Sequence, residues 1–595
     1  MSDPDIIVKT GGKFLTETIG ENLVFSREQF SDEHREIEQL VREFGKDRIK
    51  SNKEEIEKFN KELSLDLLKE MGELGLLGVD VPEEYGGLEL DKITTAIVAE
   101  SLSSGACPSF TVTYSVQTGI GCLPIVWFGT EDQKKRYLPK MVTGEWVGAY
   151  GLTEPSAGSD ALSGTTTAVL SEDGNHYLLN GEKIFITNAS WADVFIVFAK
   201  VDGEKFSAFI IERDTPGFSI GVEEKKMGMK GSSTSSLSLA DAKIPIENLL
   251  YDIGKGATIA FNALNLGRFK LAASDLGGCK EIITEAVLYG LERRQFGQPI
   301  VQFDAIKGKI ADMVVRTFSA DSMIYRTIGM INEAIQSIDK TAGDYYIQLG
   351  EAMERYAIEA SMAKVFGSES LALVTDNGVQ ILGGYGFIEE YPMAGVYRDA
   401  RIDRIWEGTN EINRQIITGY MMKKTLLESL PIREQILKID QFLTESESFN
   451  SFKMLKEEAQ IIETGKRLIL TLFNDALCEF GQDLRHEQQL TEILANAFTL
   501  LYAAESTILR VHQMKQTDSS KKIPIAIAKV HAAEISIQLM NLSLTGMNGI
   551  YKGHLPDSVI IRLREFQKRM LPKNDIIRLK RNIADYIYIN KSYPF

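Results

Sequence analysis

The chain has 595 residues and a formal net charge of −17 at pH 7, with 44% hydrophobic and 25% charged residues. This length exceeds what one hydrophobic core supports and predicts about three or four domains. The acidic balance argues against a nucleic-acid binder, which needs a cationic face to neutralise phosphates. The 4 cysteines and 6 histidines are scattered, so we expect neither a disulfide framework nor a protein-ligated metal.

The N-terminal sequence MSDPDIIVKT has no basic n-region and no apolar h-region, and no apolar run approaches the ~20 residues that span a bilayer. We therefore expect a cytoplasmic protein. Residues 561–595 contain nine Lys and Arg but only three Asp and Glu. This basic excess leaves open a peripheral contact with anionic lipid, as well as a solvated helix face or a subunit contact.

Hydrophobic periodicity divides the chain into five parts. Residues 1–25 read as a loose arm, and residues 26–147 carry apolar side chains at the three- and four-residue spacing of helices. Residues 148–255 are rich in Gly, Ser, Thr and β-branched residues and predict an all-β module. Long helical segments in 256–428, one of them spanning 345–382, fit an antiparallel bundle, and 429–595 is again mostly helical.

Within the β module, six short segments predict strands: TTTAVL, HYLLN, KIFITN, DVFIVFAK, FSAFIIE and SSLSLADAKI. The order of helices, strands, bundle and further helices does not alternate as βαβ units do, so a Rossmann sheet is disfavoured. The sequence also has no Walker A motif and no GxGxxG in a strand–helix context.

Two segments of the β module have the composition of a ligand site. AYGLTEPSAGSDALSG (149–164) offers backbone N–H groups and hydroxyls to a flat or phosphate-bearing ligand, or is a simple surface loop. In GEKIFITNAS (181–190), Phe185 stands two residues before Thr187. It either stacks on a ring system or is a core aromatic beside a solvated threonine.

A third segment, DRIWEGTNEINRQII (403–417), carries a candidate base. Thr409 and Asn410 predict a helix N-terminus directly after Glu407 and Gly408. The flanking Ile405 and Trp406 would desolvate the Glu407 carboxylate and raise its pKa, as a general base for a weakly acidic C–H requires. Otherwise Glu407 is a solvated charge ahead of a helix.

TEPSAGSD, KIFITN and WEGTNEINR, in this order, resemble the acyl-CoA dehydrogenase family, as do the stretches 292–313 and 379–412. The resemblance covers roughly residues 30–425. It implies an α+β multidomain fold with an N-terminal helical domain, a middle β domain and a C-terminal four-helix bundle. The added C-terminal helical domain and ADVFIVFAK (192–200) are similar to the very-long-chain branch, which implies long-chain substrates.

The resemblance implies FAD as cofactor and Glu407 as the catalytic base. Glu407 would remove the α-proton of a fatty acyl-CoA while the β-hydrogen leaves as hydride to the flavin N5, giving a trans-2-enoyl-CoA. Electrons would pass to an electron-transferring flavoprotein in fatty acid β-oxidation. Some members carry the base just before the arginine that matches Arg268. That position is Gly267 here, which cannot act as a base.

Further residues carry over from the family by position. The implied substrate residues are Ser159, Asn265, Arg268 and Gly408. The implied FAD contacts are Tyr150, Leu152, Thr153, Ser159, Phe185, Thr187, Thr409 and Glu411. Arg293, Gln295, Phe296, Gln380 and Gly384 match residues that reach the FAD of a neighbouring subunit, so we expect a homodimer or a dimer of dimers. Two alternatives stay open: an acyl-CoA oxidase that uses O₂, and a non-catalytic assembly or scaffold protein of the same fold.

Overall fold

The computed structural model describes residues 10–444, 449–514 and 521–595. Seven helices form the first part of the chain. Thr130 begins the last of them with a reciprocal capping box, in which Gln133 N donates to Thr130 Oγ1 (3.2 Å) and Thr130 N donates to Gln133 Oε1 (3.0 Å). The helices are α1 (Asp32–Phe44), α2 (Lys53–Glu57), α3 (Lys61–Glu73), α4 (Lys92–Leu102), α5 (Pro108–Gln117), α6 (Leu123–Phe128) and α7 (Glu131–Val142).

An eight-stranded sheet follows, made of β1 (Gly148–Gly151), β2 (Thr167–Leu170), β3 (His176–Thr187), β4 (Val194–Val201), β5 (Lys205–Glu212), β6 (Phe218–Glu223), β7 (Thr234–Pro245) and β8 (Leu249–Leu250). The strand order is β6-β7-β3-β2-β4-β5-β8, and β1 pairs in parallel with β4. HYLLN and KIFITN, predicted as two strands, form the single strand β3. Register shifts between Leu179 and Gly181 and between Lys183 and Ile186 interrupt its pairing with β7.

The bundle contains α8 (Gly256–Glu292), α9 (Asp304–Gln336), α10 (Tyr345–Arg355), α11 (Ala357–Leu382), α12 (Gly384–Phe387), α13 (Pro392–Asp399) and α14 (Asn410–Leu426). A small hairpin, β9 (Arg294–Gln295) and β10 (Gln298–Pro299), follows α8. The helical stretch 345–382 is interrupted at Tyr356, where the backbone leaves helical geometry (φ −107°, ψ 22°).

The remaining helices are α15 (Ile432–Leu437), α16 (Ile439–Thr444), α17 (Lys456–Phe480), α18 (Gln488–Gln513), α19 (Lys522–Ile550), α20 (Asp557–Met570) and α21 (Ile576–Asn590). Helices α18, α19 and α21 pack on α9, and α18 also packs on α14. In the described part of the chain, α19 alone is long and apolar enough to cross a membrane, and most of its apolar window is buried inside the protein. The helical domain, the β domain and the bundle, together with these added C-terminal helices, confirm the predicted fold class.

The expected loose arm is wrong for its described part, residues 10–25. Phe14 and Leu15 are buried in the main core. Gly12 N donates to Glu359 Oε1 of α11 (2.7 Å), and Ile19 N donates to Glu463 Oε1 of α17 (2.8 Å). The arm therefore connects the bundle to the added helices through partners too distant in sequence for local patterning to reveal.

The basic residues of α21 face carboxylates of the bundle and of α19. Arg581 pairs with Asp304 (2.6 Å), and Lys580 pairs with Asp312 (2.6 Å) and Glu534 (2.5 Å). Part of the positive excess in residues 561–595 thus forms ion pairs within the chain.

Candidate functional site

The loop that carries Glu407 lies directly before α14, which Thr409 caps by accepting from Ile412 N (3.2 Å). Glu407 and Gly408 have φ values of +55° and +76°. The left-handed conformation is unfavourable for a glutamate by about 1–2 kcal/mol, and such strain concentrates at functional sites. Together, the two residues form a sharp turn that directs the carboxylate towards α8.

Gly267 of α8 provides the space that the Glu407 carboxylate fills. A Cβ atom at position 267 would lie 2.5 Å from Glu407 Oε2 and 2.8 Å from Oε1. Any larger residue would displace the carboxylate. The adjacent Arg268 is buried and donates from Nη1 to Asn265 Oδ1 (2.7 Å). The structure therefore brings four sequence-predicted residues, Asn265, Arg268, Glu407 and Gly408, together with Gly267.

Burial raises the pKa of Glu407 to about 7, against the opposing influence of Arg268, Lys364 and Lys270. Glu407 Oε2 is buried, and no described residue donates a hydrogen bond to it. A carboxylate that titrates near neutral pH and has an unpaired oxygen has the properties of a general base.

Two residues that the sequence did not single out hold this loop. Lys364 of α11 is buried and donates to the Gly408 carbonyl (2.9 Å) and to Asn410 Oδ1 (2.7 Å). Asn413 of α14 donates from Nδ2 to the carbonyls of Gly408 (2.8 Å) and Thr409 (3.1 Å). Within a helical pattern each resembles an ordinary solvated polar residue, so no local signal marked them.

The first two predicted segments lie side by side. Ile184 N donates to the Thr153 carbonyl (2.9 Å), and Lys183 forms a buried ion pair with Glu154 (2.6 Å). Phe185 is 61% exposed at a φ of +59°. A core aromatic would be buried, so this exposure contradicts the interpretation of Phe185 as a core residue and favours its stacking on a ring system.

Tyr150, in β1, connects these segments to Glu407. Its ring is buried, and its hydroxyl has no hydrogen-bond partner among the described residues. Burial, and then the charge of Glu407, raise the pKa of Tyr150. The buried unpaired hydroxyl and the exposed Phe185 suit a flat, polar-edged cofactor such as FAD. Leu152 is also buried, Thr153, Thr187 and Thr409 are half-buried, and Ser159 and Glu411 are exposed.

The other predicted cofactor residues form a separate surface. Phe296, at the tip of the hairpin after α8, is 94% exposed with a φ of +50°, and Gln295 beside it is also exposed. Gln380 and Gly384 are exposed at the end of α11 and the start of α12. The Arg293 guanidinium lies 5.6 Å from the centre of the Tyr385 ring, so the residues of the hairpin lie beside those at the junction of α11 and α12. In the described part of the chain, none of the five hydrogen-bonds to the Glu407 loop.

Residues 31–145 match the family model "Acyl-CoA dehydrogenase, N-terminal domain", residues 149–242 the middle domain and residues 254–422 the C-terminal domain. A "Probable acyl-CoA dehydrogenase" of Bacillus subtilis (strain 168) is 43% identical over 594 residues, 98% of each chain. The mitochondrial very long-chain specific acyl-CoA dehydrogenase of Rattus norvegicus is 39% identical over 361 residues, 59% of this chain and 52% of that protein.

A crystal structure of an acyl-CoA dehydrogenase complexed with FAD from Bacillus anthracis superposes with a TM-score of 0.94 at 41% identity. It covers 99% of this chain and 100% of that one. The similarity therefore includes the added C-terminal helices. The chain belongs to the acyl-CoA dehydrogenase family and is an oxidoreductase with FAD as its cofactor.

Proposed function

We propose that this protein oxidises long-chain fatty acyl-CoA to trans-2-enoyl-CoA, with Glu407 as the base. One observation carries the proposal. The Glu407 carboxylate occupies the space above Gly267, buried and without a hydrogen-bond donor among the described residues, and its pKa is raised to about 7 by burial. Bound FAD supplies the acceptor for the β-hydrogen and its electron pair.

The protein's own part is the removal of the α-proton, which passes to Glu407 Oε2. An α C–H is weakly acidic, so the negative charge that develops on the thioester oxygen needs hydrogen-bond donors. The Glu407 N–H forms no backbone hydrogen bond among the described residues. We assign it to the thioester carbonyl. We assign Arg268 of α8 to electrostatic support of the Glu407 carboxylate, whose pKa its charge lowers against the effect of burial.

The cofactor would lie against Tyr150, Leu152, Thr153, Ser159, Phe185, Thr187, Thr409 and Glu411. We propose a homodimer, in which Arg293, Gln295, Phe296, Gln380 and Gly384 reach the FAD of the partner. The exposed apolar side chains around them support this: Phe296 (94%), Phe387 (79%), Ile388 (47%) and Tyr385 (41%). Exposed apolar patches of this kind mark interaction sites on soluble proteins.

We propose an electron-transferring flavoprotein as the electron acceptor, β-oxidation as the role and the cytoplasm as the location. The long-chain preference rests on the similarity to the rat very long-chain enzyme. That similarity extends over 59% of this chain and does not include the added helices in full. Because basic side chains of α21 are engaged with carboxylates of the same chain, the proposal includes no membrane contact.

Anaerobic titration with saturated acyl-CoAs from C4 to C20 tests the proposal through loss of flavin absorbance. We expect reduction by long chains and turnover with an electron-transferring flavoprotein. Glu407→Gln should lower turnover by about 10²- to 10⁴-fold while FAD stays bound, and the exposed control Glu172→Gln, between β2 and β3, should match the unaltered protein. Normal turnover of Glu407→Gln would refute the assignment. Rapid peroxide formation in air would indicate an oxidase instead.

A further inference from the structure

A buried lysine lies one helical turn from the space that Glu407 occupies. Lys270 follows Gly267 by three residues on α8, so the two positions share a helix face. Lys270 is only 3% exposed. Lysine is rarely buried without a carboxylate partner because an ammonium loses its hydration.

The surroundings of Lys270 leave part of its hydrogen-bonding capacity unused. Its Nζ donates to Thr118 Oγ1 (2.8 Å) and lies 5.8 Å from the centre of the Tyr114 ring. An ammonium has three donors, and among the described residues Thr118 is the one acceptor.

The nearby carboxylate of Asp80 is already engaged. It pairs with Lys92 and accepts from Thr95 Oγ1 (2.8 Å). Asp80, Lys92 and Cys122 all act on Lys270 electrostatically, yet Lys270 forms no ion pair among the described residues.

Glu407 is an anion that likewise lacks a hydrogen-bonded partner, since no described residue donates to its Oε2. Arg268, Lys364, Lys270 and Tyr150 are the charged or titratable groups that act on it. Arg268 donates to Asn265, and Lys364 donates to the carbonyl of Gly408. Arg268 Nε has no partner among the described residues, and Lys270 donates to Thr118 alone, so these two cations of α8 retain donors that no described acceptor uses.

We propose that Lys270 is a positioning residue for the base: from the adjacent turn of α8, its ammonium stabilises the ionised Glu407 carboxylate inside the closed site. This role rests on the proposed function of Glu407. It also explains why a lysine stands within the largely apolar stretch GRFKLAA.

The pKa directions are consistent with this pairing. Burial raises the pKa of Glu407 to about 7, and Arg268, Lys364 and Lys270 act to lower it. Burial lowers the pKa of Lys270 to about 8, and Asp80, Cys122 and Glu407 act to raise it. The ionised form of each group therefore favours the ionised form of the other. Without the ammonium, Glu407 should release its proton only at higher pH.

The test compares pH profiles of kcat/KM for Lys270→Gln and for Thr118→Val, which removes the hydrogen bond of Lys270 but keeps its charge. We expect the acid limb of Lys270→Gln to move up by about 0.5 to 1 pH unit, a loss of about three- to tenfold in kcat/KM at pH 6. The limb of Thr118→Val should stay in place. Lys270→Met serves as the second neutral variant if Lys270→Gln does not retain FAD.

Infrared difference titration of the Glu407 carboxyl, with Glu407→Gln as the blank, gives the same answer without turnover. It keeps the inference testable even if no acyl-CoA reduces the flavin, in which case the proposed function alone would fail. A uniform loss of rate at every pH, or a changed chain-length preference with an unmoved carboxyl titration, would overturn the role of Lys270.

Discussion

Gly267 of α8 and Glu407 of the loop before α14 occupy one space, since a Cβ at position 267 would stand 2.5 Å from Glu407 Oε2. The position where some family members carry the base is therefore the place that the proposed base, Glu407, fills from another element. A side chain at position 267 and the Glu407 carboxylate in its present place exclude each other sterically. The absence of a side chain at position 267 therefore decides which of the two positions can supply the proposed base.

Gly267→Ala should displace the Glu407 carboxylate and lower kcat by about 10- to 100-fold, because a shift of about 1 Å in a reacting group costs that much. FAD content should stay normal. Gly419→Ala on α14 is the matched control, as a Cβ there meets nothing within 4 Å. Steady-state rates of both variants check this; equal rates would show that the carboxylate tolerates the displacement.

Asn413→Leu should loosen the catalytic loop. The substitution removes the Nδ2 donor to the carbonyls of Glu407 (3.4 Å), Gly408 (2.8 Å) and Thr409 (3.1 Å). The Gly408 carbonyl keeps Lys364 and the Thr409 carbonyl keeps the Asn413 N–H, so the effect is the loss of the side-chain hydrogen bonds themselves, each worth about 0.5–1.5 kcal/mol. We expect about a tenfold lower kcat and faster amide hydrogen exchange in 405–410. The exposed Asn541→Leu on α19 is the control. Unchanged exchange in the loop would contradict the role given to Asn413.

Glu407→Gln should stabilise the fold at high pH. Burial raises the pKa of Glu407 from 4.5 to about 7, so the folded state binds the proton more tightly than the unfolded state. The cost of ionising Glu407 is absent below about pH 4.5, grows as pH rises and is complete above about pH 7. Urea unfolding should show a gain of up to about 3 kcal/mol at pH 8 and little at pH 5. A pH-independent gain would mean that the carboxylate is not the cause.

Phe296→Asp should weaken the proposed homodimer and its hold on FAD, because it places a charge at a side chain that is 94% exposed in the single chain and would be covered by a partner. Light scattering after gel filtration and the ratio of flavin to protein absorbance measure both effects. Val222→Asp, at an equally exposed apolar position on β6, should change neither. A dimer that withstands Phe296→Asp would locate the interface elsewhere.

The sequence by itself determined the order of helices, sheet and bundle, the cap at Thr409 and the candidate base. These features depend on side chains three or four positions apart or on short contiguous motifs, so a short stretch of sequence is enough to predict each of them. Even so, the break at Tyr356 and the fusion of two predicted strands into β3 escaped the pattern, because backbone bends and bulges are decided by packing.

The tertiary structure alone decided what Glu407 can do. Its raised pKa comes from burial against α8, and it is moderated by Arg268, Lys270 and Lys364, which stand far away in the sequence. The same applies to the arm at Gly12 and Ile19, whose partners Glu359 and Glu463 lie in distant helices. Desolvation and charge act through space, so the raised pKa that suits Glu407 to its proposed role arises only where the folded chain packs the carboxylate against α8.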